Sequence, residues 1–251
     1  MDFKLEAPTT LGYFAALVQS DAHFPLLEAT ASLVQDEYPD EDIEEVLDQV
    51  DVLIQRIKQR LPSDAGALHK LRMLNKFFFE ELGFAGNRNN YYDPRNSFMS
   101  EVLRTRVGIP ISLAVLWLEM AQAIGLDAKG VSFPGHFLVK VRLPYPHEGH
   151  VVIDPFGGQS LDKEDLRERL SPMFAQTGLL RDGDAVSDDL LAHYLRSATP
   201  REIVARMLRN LEEIYLSDND QTRLAQVRQR LTVLLPVEDA ATDADEEEDE
   251  N

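Results

Sequence analysis

The segment that most constrains this fold runs over residues 108–154, where a turn, an apolar helix and short strands follow one another. Pro110 suits the first position of the helix, because a missing N–H costs nothing there. Apolar residues then recur on almost every side, and a helix that is apolar all round is buried. The segment therefore predicts a central helix that ends at Gly125, followed by strands over residues 128–133, 137–143 and 150–153.

Two polar residues in this segment are candidates for a hydrogen-bonded pair. His136 stands at the predicted start of one strand, and Asp154 stands at the end of the next. A lone histidine could simply satisfy core hydrogen bonds, but an aspartate on the adjacent strand favours an imidazole–carboxylate pair. Such a pair, placed after a helix N-terminus, has the order of parts of a cysteine-type hydrolase or transferase. The nucleophile is missing, because the chain contains no cysteine.

The chain on both sides of this segment is predicted to be mainly helical. The spacing of apolar residues indicates helices over residues 26–37 and 40–60, and a third that is capped by Ser63 and ends at Gly83. A further helix is expected over residues 161–174.

The C-terminal part begins with a weakly patterned stretch and ends in a helical hairpin. Thr199, followed by Pro200 and by Glu202 three residues after the threonine, is a capping-box start for the first helix of the hairpin. The hairpin has the size of one tetratricopeptide repeat, which cannot bury its own apolar face and should pack on the main domain or on a partner.

A polar loop over residues 84–96 follows the N-terminal helices. It is either a packed surface loop anchored by its tyrosines or one wall of a cleft, since binding residues concentrate on loops held by a rigid scaffold. Asn96 or Ser97 would cap a short helix that ends near Arg106. Arg95 and Arg106 are the basic residues expected nearest this cleft, and they either form salt bridges or bind an anionic group of a ligand. The candidate ligand-binding residues are Tyr91, Tyr92, Asp93, Arg95, Asn96, Arg106 and Pro110.

The composition excludes several classes of function. The net charge is −19, and residues 238–251 carry nine acidic residues and no basic one, which argues against binding to nucleic acid or to an anionic membrane. The absence of cysteine excludes disulfides, thiolate metal sites and thiol catalysis. No signal-peptide pattern is found, and no apolar run reaches the roughly 20 residues of a membrane span. A cytoplasmic protein is expected.

With these residues placed, the chain resembles the transglutaminase-like superfamily, and more closely the SirB-type bacterial proteins, over about residues 10–236. The motifs that carry the resemblance are Gly83-Phe84, Gly86-Asn87, the run from Tyr91 to Ser97, the run from Arg106 to Leu113, the run from Pro134 to Val139 and the run from Asp154 to Gly157. The resemblance implies an α+β fold with a transglutaminase-like core of the papain-like cysteine-peptidase type. The expected division is a helical N-terminal subdomain over residues 1–82, the core over 83–175, a helical linker and tetratricopeptide-like hairpin over 176–237, and a disordered acidic tail over 238–251.

The resemblance also implies where a nucleophile would stand. Active members of the superfamily place a cysteine at the start of the central helix, with an alanine four residues later and a glycine fifteen residues later. Ala114 and Gly125 fit this spacing and put Pro110 at the cysteine position. His136 then matches the base and Asp154 the orienting carboxylate, so that two parts of a triad remain without the third.

Three functions are open at this point. The first is a catalytically inactive binding or scaffold protein, in which His136 and Asp154 recognise an unknown peptide, protein or small molecule. The second is a hydrolase or peptidase-like enzyme with another nucleophile such as Ser112, although a shift of two positions rotates a helical side chain by about 200°. The third is metal-assisted hydrolysis with His150 or Asp93 as a further ligand. Because one histidine and one aspartate are a weak metal signal, no metal and no cofactor are expected.

Overall fold

The computed structural model describes residues 9–146, 148–177 and 186–236, so the predicted acidic tail over 238–251 lies outside the described residues. The helices are α1 (Thr10–Leu17), α2 (Leu26–Ala31), α3 (Ile43–Lys58), α4 (Ala67–Asn75), α5 (Met99–Thr105), α6 (Pro110–Ala123), α7 (Lys163–Thr177), α8 (Asp188–Tyr194), α9 (Pro200–Ser217) and α10 (Gln221–Leu234). The strands are β1 (Ala85–Gly86), β2 (Val107–Gly108), β3 (Asp127–Val131), β4 (Leu138–Leu143), β5 (Gly149–Asp154) and β6 (Gln159–Leu161). The chain thus combines helices with small sheets.

The N-terminal helices lie where the pattern predicts them, with two changes of helix type and one addition. The helix predicted over 26–37 is α2 followed by a 3-10 turn, Ser32–Asp36, and the helix predicted to end at Gly83 is α4 continued by a π-helical segment, Lys76–Glu81. α3 begins after Asp42, whose side chain accepts the Glu44 N–H. Its last turn carries Arg56 and Lys58, whose positive charges interact favourably with the C-terminal end of the helix dipole. α1 was not predicted from the sequence, because its eight residues have little amphipathic pattern and give only a weak signal.

Two predicted helix caps are wrong. Ser63 lies in a turn that precedes α4, and Gly66 is the N-cap residue of that helix, which begins at Ala67. Asn96 and Ser97 lie in a separate short helical turn, Pro94–Ser97, and α5 begins after Phe98. In both cases a tight turn takes up the polar residues that would otherwise cap the helix.

α6 is the central helix, as the sequence predicts. Pro110 occupies its first position, and eleven of its 14 residues are buried. α3, α5, α9, β3 and β4 all pack against it. Gly125 follows the helix with a φ of 77°, a left-handed conformation that glycine adopts without steric penalty.

Four antiparallel strands lie in the order β3-β4-β5-β6. The register of β4 and β5 pairs Val139 with Ile153, so the residues just before β4 meet the end of β5. β6 and the parallel pair of β1 and β2 were not predicted from the sequence, because strands of two or three residues carry no periodic signal. The helix expected from residue 161 begins at Lys163, since Leu161 belongs to β6.

α9 and α10 form the predicted C-terminal hairpin. The Thr199 hydroxyl accepts the Glu202 N–H, and the Glu202 carboxylate accepts the Thr199 N–H, which completes the capping box. The hairpin packs on the rest of the chain, because α10 lies on α1 and its buried Arg230 forms an ion pair with Asp36. One apolar core joins the N-terminal helices, α6 and the hairpin. None of the helices among the described residues is long and apolar enough to cross a membrane.

Candidate functional site

His136 lies on a tight turn that leads into β4. Pro134 and Gly135 occupy the two central positions, and the His136 N–H donates to the Phe133 carbonyl oxygen at 3.1 Å. Gly135 has a φ of 65°, and a turn in which proline precedes a residue of positive φ is of type II. His136 therefore stands two residues before β4 begins at Leu138, and not at the start of the strand as the sequence predicts.

The imidazole of His136 meets the carboxylate of Asp154 where the turn faces the end of β5. His136 Nε2 lies 2.7 Å from Asp154 Oδ1. The same oxygen accepts the Phe156 N–H at 2.9 Å, and Oδ2 accepts a hydrogen bond from Arg169 Nη1 at 3.0 Å. The side chain of Asp154 is 6% exposed, whereas that of His136 is 21% exposed. The carboxylate is thus buried among three partners, while part of the imidazole reaches solvent.

The three partners of Asp154 keep its carboxylate charged. Burial is the largest single influence and raises its pKa, because the charged form loses water. The hydrogen bond and charge of His136, the Phe156 N–H and the Arg169 guanidinium together outweigh burial and hold the pKa of Asp154 below its ordinary value. Asp154 is therefore an anion at neutral pH and fixes the ring with Nε2 toward the carboxylate. Among the described residues, His136 Nδ1 has no hydrogen-bond partner.

The start of α6 and the turn after Asp154 lie on either side of β1. Gly86 pairs with Gly108, just before Pro110, and the Gly86 N–H donates to the Phe156 carbonyl oxygen at 2.9 Å. A Cβ at position 86 would lie 2.2 Å from the Phe156 ring, so this close approach requires glycine. Pro110 itself is buried at the first position of the helix.

Ser112 supports the start of α6 and does not face the histidine. Its hydroxyl donates to the Asn96 carbonyl oxygen at 2.6 Å and accepts the Ile109 N–H at 3.1 Å. The residue is fully buried, at 0% exposure. The structure therefore does not bring Ser112 to His136, as the rotation between helix positions leads one to expect.

Asn96 organises the polar loop from within. Its Nδ2 donates to the carbonyl oxygens of Asn90 at 2.7 Å and Tyr91 at 3.1 Å, and its Oδ1 accepts from Asn87 Nδ2 at 2.9 Å. The side chain is buried. Asn96 thus holds the loop in shape and is not an open ligand contact.

Aromatic rings connect this loop to the histidine. The centroid of the Tyr91 ring lies 5.9 Å from that of Phe156, which in turn lies 6.2 Å from that of His136. Tyr92 stands edge-on to Tyr91 at 5.3 Å and is 75% exposed. Tyr91 and Phe156 therefore line the approach to His136, and Tyr92 is the outermost residue of this wall.

The contacts of Arg95 and Arg106 run elsewhere. Arg95 is exposed, and its Nη2 forms an ion pair with Asp93 Oδ2 at 2.6 Å. The carboxylate of Asp93 is therefore paired with Arg95. Arg106 adopts a left-handed backbone with a φ of 63°, and its guanidinium lies over the Phe84 ring at 4.8 Å. The described contacts of these two arginines are therefore with Asp93 and Phe84, and neither has a described contact with His136 or Asp154.

Two basic residues that were not predicted from the sequence support the site: Arg169 at the pair and Arg206 at the histidine turn. Arg169 contacts Asp154 directly, and Arg206 Nη1 donates to the Phe133 carbonyl oxygen at 3.0 Å, the oxygen that also closes the turn described above. Helical spacing could have pointed to Arg169, because it follows the buried Leu166 by three positions and so lies on the same, inward side of α7. Arg206 lies 73 residues from Phe133, and no local pattern joins them.

In the described part of the chain, no three histidine, aspartate or glutamate side chains lie close enough to hold a metal ion. His150 is exposed and pairs with Arg142 across β4 and β5. Neither His150 nor Asp93 has a described contact with His136.

Comparison with known proteins places this site in a family context. A family model described as the transglutaminase-like superfamily matches residues 44–209. A UPF0162 protein of Xylella fastidiosa is 40% identical over 221 residues, which cover 86% of this chain and 74% of that protein. A UPF0162 protein of Pseudomonas aeruginosa is 29% identical over 212 residues, which cover 84% of this chain and 73% of that protein. Human F-box only protein 21 is 41% identical over 70 residues, which cover 28% of this chain and 11% of that protein. No solved structure matches the chain at a significant level.

Proposed function

The chain belongs to the transglutaminase-like superfamily, and we propose that it is a catalytically inactive member that binds a ligand at the His136–Asp154 pair. The observation that carries the proposal is the start of α6, where a buried Pro110 takes the position that the resemblance assigns to a cysteine. Proline has no nucleophilic atom, and the chain contains no cysteine. The imidazole therefore has no thiol to deprotonate, although its orienting carboxylate is retained.

The pair can still recognise a ligand by hydrogen bonding. With Nε2 directed at the Asp154 carboxylate, the neutral imidazole carries its proton on Nε2 and presents Nδ1 as an acceptor. An amide N–H of a peptide or of a small molecule is a suitable donor for Nδ1. The rings of Tyr91 and Phe156 supply an apolar wall beside this acceptor, as is typical of ligand sites with a few fixed polar groups.

A hydrolase that uses Ser112 is the weaker alternative. A serine nucleophile must reach the base by a hydrogen bond of about 2.6–3.2 Å, whereas the hydroxyl of Ser112 is buried and bonded to Asn96 and Ile109. A fluorophosphonate probe is expected to leave Ser112 unlabelled in the folded protein. Labelling of that residue, detected by peptide mass spectrometry, would restore the alternative.

We propose that the chain is of the SirB type, that it acts in the cytoplasm, and that α9 and α10 form a tetratricopeptide-like unit whose Arg206 supports the histidine turn. The support for the last point is the hydrogen bond from Arg206 to the Phe133 carbonyl oxygen.

Turnover and binding can be tested on the full chain with one dipeptide and one ester. Benzyloxycarbonyl-glutaminylglycine, with hydroxylamine as acceptor, reports amide transfer and hydrolysis, and p-nitrophenyl acetate reports esterase activity. We expect no turnover that depends on His136, but we expect the dipeptide to shift the NMR signals of the His136 ring. These signals are assigned by their loss in His136→Phe.

His150→Phe is the matched control, because His150 is an exposed histidine on β5 without a described contact to the pair. Turnover that is lost in His136→Phe and kept in His150→Phe would show that the protein is an enzyme. Titration with the dipeptide that moves the His150 signals as much as those of His136 would argue against the proposed binding site.

A further inference from the structure

We propose that Arg196, Arg206 and Arg209 line a second binding site, which takes the carboxylates of an acidic peptide segment. The site lies where α8 and α9 meet the turn that carries His136. It goes beyond the proposed function, since it does not require the histidine to bind anything.

The three arginines share a concave surface. Two adjoining depressions of about 450 and about 360 Å³ meet at Ser132, Arg196 and Arg206. Arg209 and Glu202 of α9 complete the first, and the residues of the type II turn together with His193 and Tyr194 of α8 complete the second. The cleft therefore forms where the C-terminal helices meet the histidine turn, and it is large enough for several peptide side chains.

Arg206 lacks a carboxylate partner in this cleft. One nitrogen is bonded to the Phe133 carbonyl oxygen, and no ion pair is formed by Arg206 with any residue in the described ranges. The guanidinium is half-buried, and burial lowers its pKa, because the charged form loses water. The charge of Glu213 acts on Arg206 from a distance, and the guanidinium lies over the Phe137 ring at 5.7 Å, but no carboxylate among the described residues forms an ion pair with it. A partly desolvated cation without a directly bonded carboxylate is unfavourable, and an anionic ligand would reduce that penalty.

The neighbouring arginines extend this positive surface. Arg209 lies three positions after Arg206 on α9, is exposed, and forms no ion pair among the described residues. Arg196 has one partner, Glu202, at 3.6 Å. Three guanidinium groups thus face one carboxylate in a chain whose net charge is −19. The planar forks of arginine match carboxylates, which makes this cleft a place where an acidic segment can bind despite the overall negative charge.

An acidic segment follows the cleft directly in the sequence. Leu235 lines the cleft, and Arg201 Nη1 donates to the Leu234 carbonyl oxygen at 2.5 Å, which fixes the end of α10 beside α9. Nine acidic residues then occur within residues 238–251. A tethered segment has a high effective concentration, so the chain's own carboxylates and those of a separate peptide offer the same chemistry to the arginines.

Fluorescence anisotropy with a fluorescein-labelled hexaglutamate peptide tests the site on the full chain at low salt. Arg209→Gln should weaken binding by about tenfold, since it removes a charge-assisted contact. Arg209 is exposed, so this variant should keep the fold, whereas Arg206→Gln could also loosen the histidine turn. Arg72→Gln, an exposed arginine of α4 outside the cleft, is the matched control and should leave binding unchanged.

A second variant of the full chain identifies the source of the carboxylates. It replaces the acidic residues of the run 246–250 by their amides. If the chain's own segment occupies the cleft, this variant binds the probe about tenfold more tightly than the native chain, and Arg209→Gln removes the gain. If only separate peptides bind, the two chains have the same affinity and both respond to Arg209→Gln. Equal binding by the Arg209 and Arg72 variants, or no binding by either form of the chain, would overturn the proposal.

Discussion

Replacing Asp154 by asparagine removes the charge on which the candidate site is built. The carboxylate has contacts with His136, with the Phe156 N–H and with Arg169, and its side chain is 6% exposed. Hydrogen bonds to charged groups contribute about 1.5–3 kcal/mol each, and removal of one partner from a buried ion pair costs about 3–5 kcal/mol. Because the Arg169 side chain is 32% exposed and can recover water, we expect a loss of about 2–3 kcal/mol in the free energy of unfolding.

The loss should depend on pH in a defined direction. The pKa of Asp154 is lower in the folded protein than its ordinary value of 3.8, so its ionised form stabilises the fold above about pH 4. This contribution disappears as the pH falls through the lowered pKa, because the folded state must then take up a proton that the unfolded state already holds. The difference between the native protein and Asp154→Asn should therefore shrink below pH 4.

Urea unfolding followed by tryptophan fluorescence measures both effects. Trp117 is the chain's only tryptophan, and it is fully buried on α6, so its signal reports the central core. Asp127→Asn is the matched control, since Asp127 is a strand residue that pairs with Arg142 at the surface. This replacement should lower the free energy of unfolding by less than about 1 kcal/mol. Equal losses in the two variants, or a difference that persists unchanged at pH 3, would refute the reasoning.

Two further outcomes follow from the packing around the site and from the N-terminal helices. Gly86→Ala should lower the free energy of unfolding in urea by about 1–3 kcal/mol, because the new Cβ would lie 2.2 Å from the Phe156 ring. The control is Gly66→Ala, where a Cβ meets nothing within 4 Å and the loss should be less than about 1 kcal/mol. Equal losses in the two variants would contradict this expectation. Burial and the hydrogen bond to Glu28 raise the pKa of Tyr13 to about 12, so its contribution to stability is present below pH 10 and is lost as the pH rises toward 12. Tyr13→Phe should flatten this alkaline decline in the unfolding free energy, whereas Tyr145→Phe, at an exposed tyrosine, should leave it as steep as in the native protein.

The helices could be predicted because their signals are local. The apolar run after Pro110 predicts a buried helix, and Thr199 with Glu202 predicts the start of α9, since caps and periodicity depend on residues within one or two turns. Ser63, Asn96 and Ser97 do not form the predicted caps, because tight turns compete with caps for the same polar residues.

By itself, the sequence determined the central helix, three of the strands and the two residues that form the histidine–aspartate pair. Only the tertiary structure decided what surrounds that pair. Arg169 reaches Asp154 from α7, 15 residues along the chain, and Arg206 reaches the Phe133 carbonyl oxygen of the histidine turn from α9, 73 residues away. The described contacts of Arg95 and Arg106 are with other partners. The physical reason is that the direction of a long polar side chain is set by the elements that pack around it, and those elements are brought together only by the folded chain.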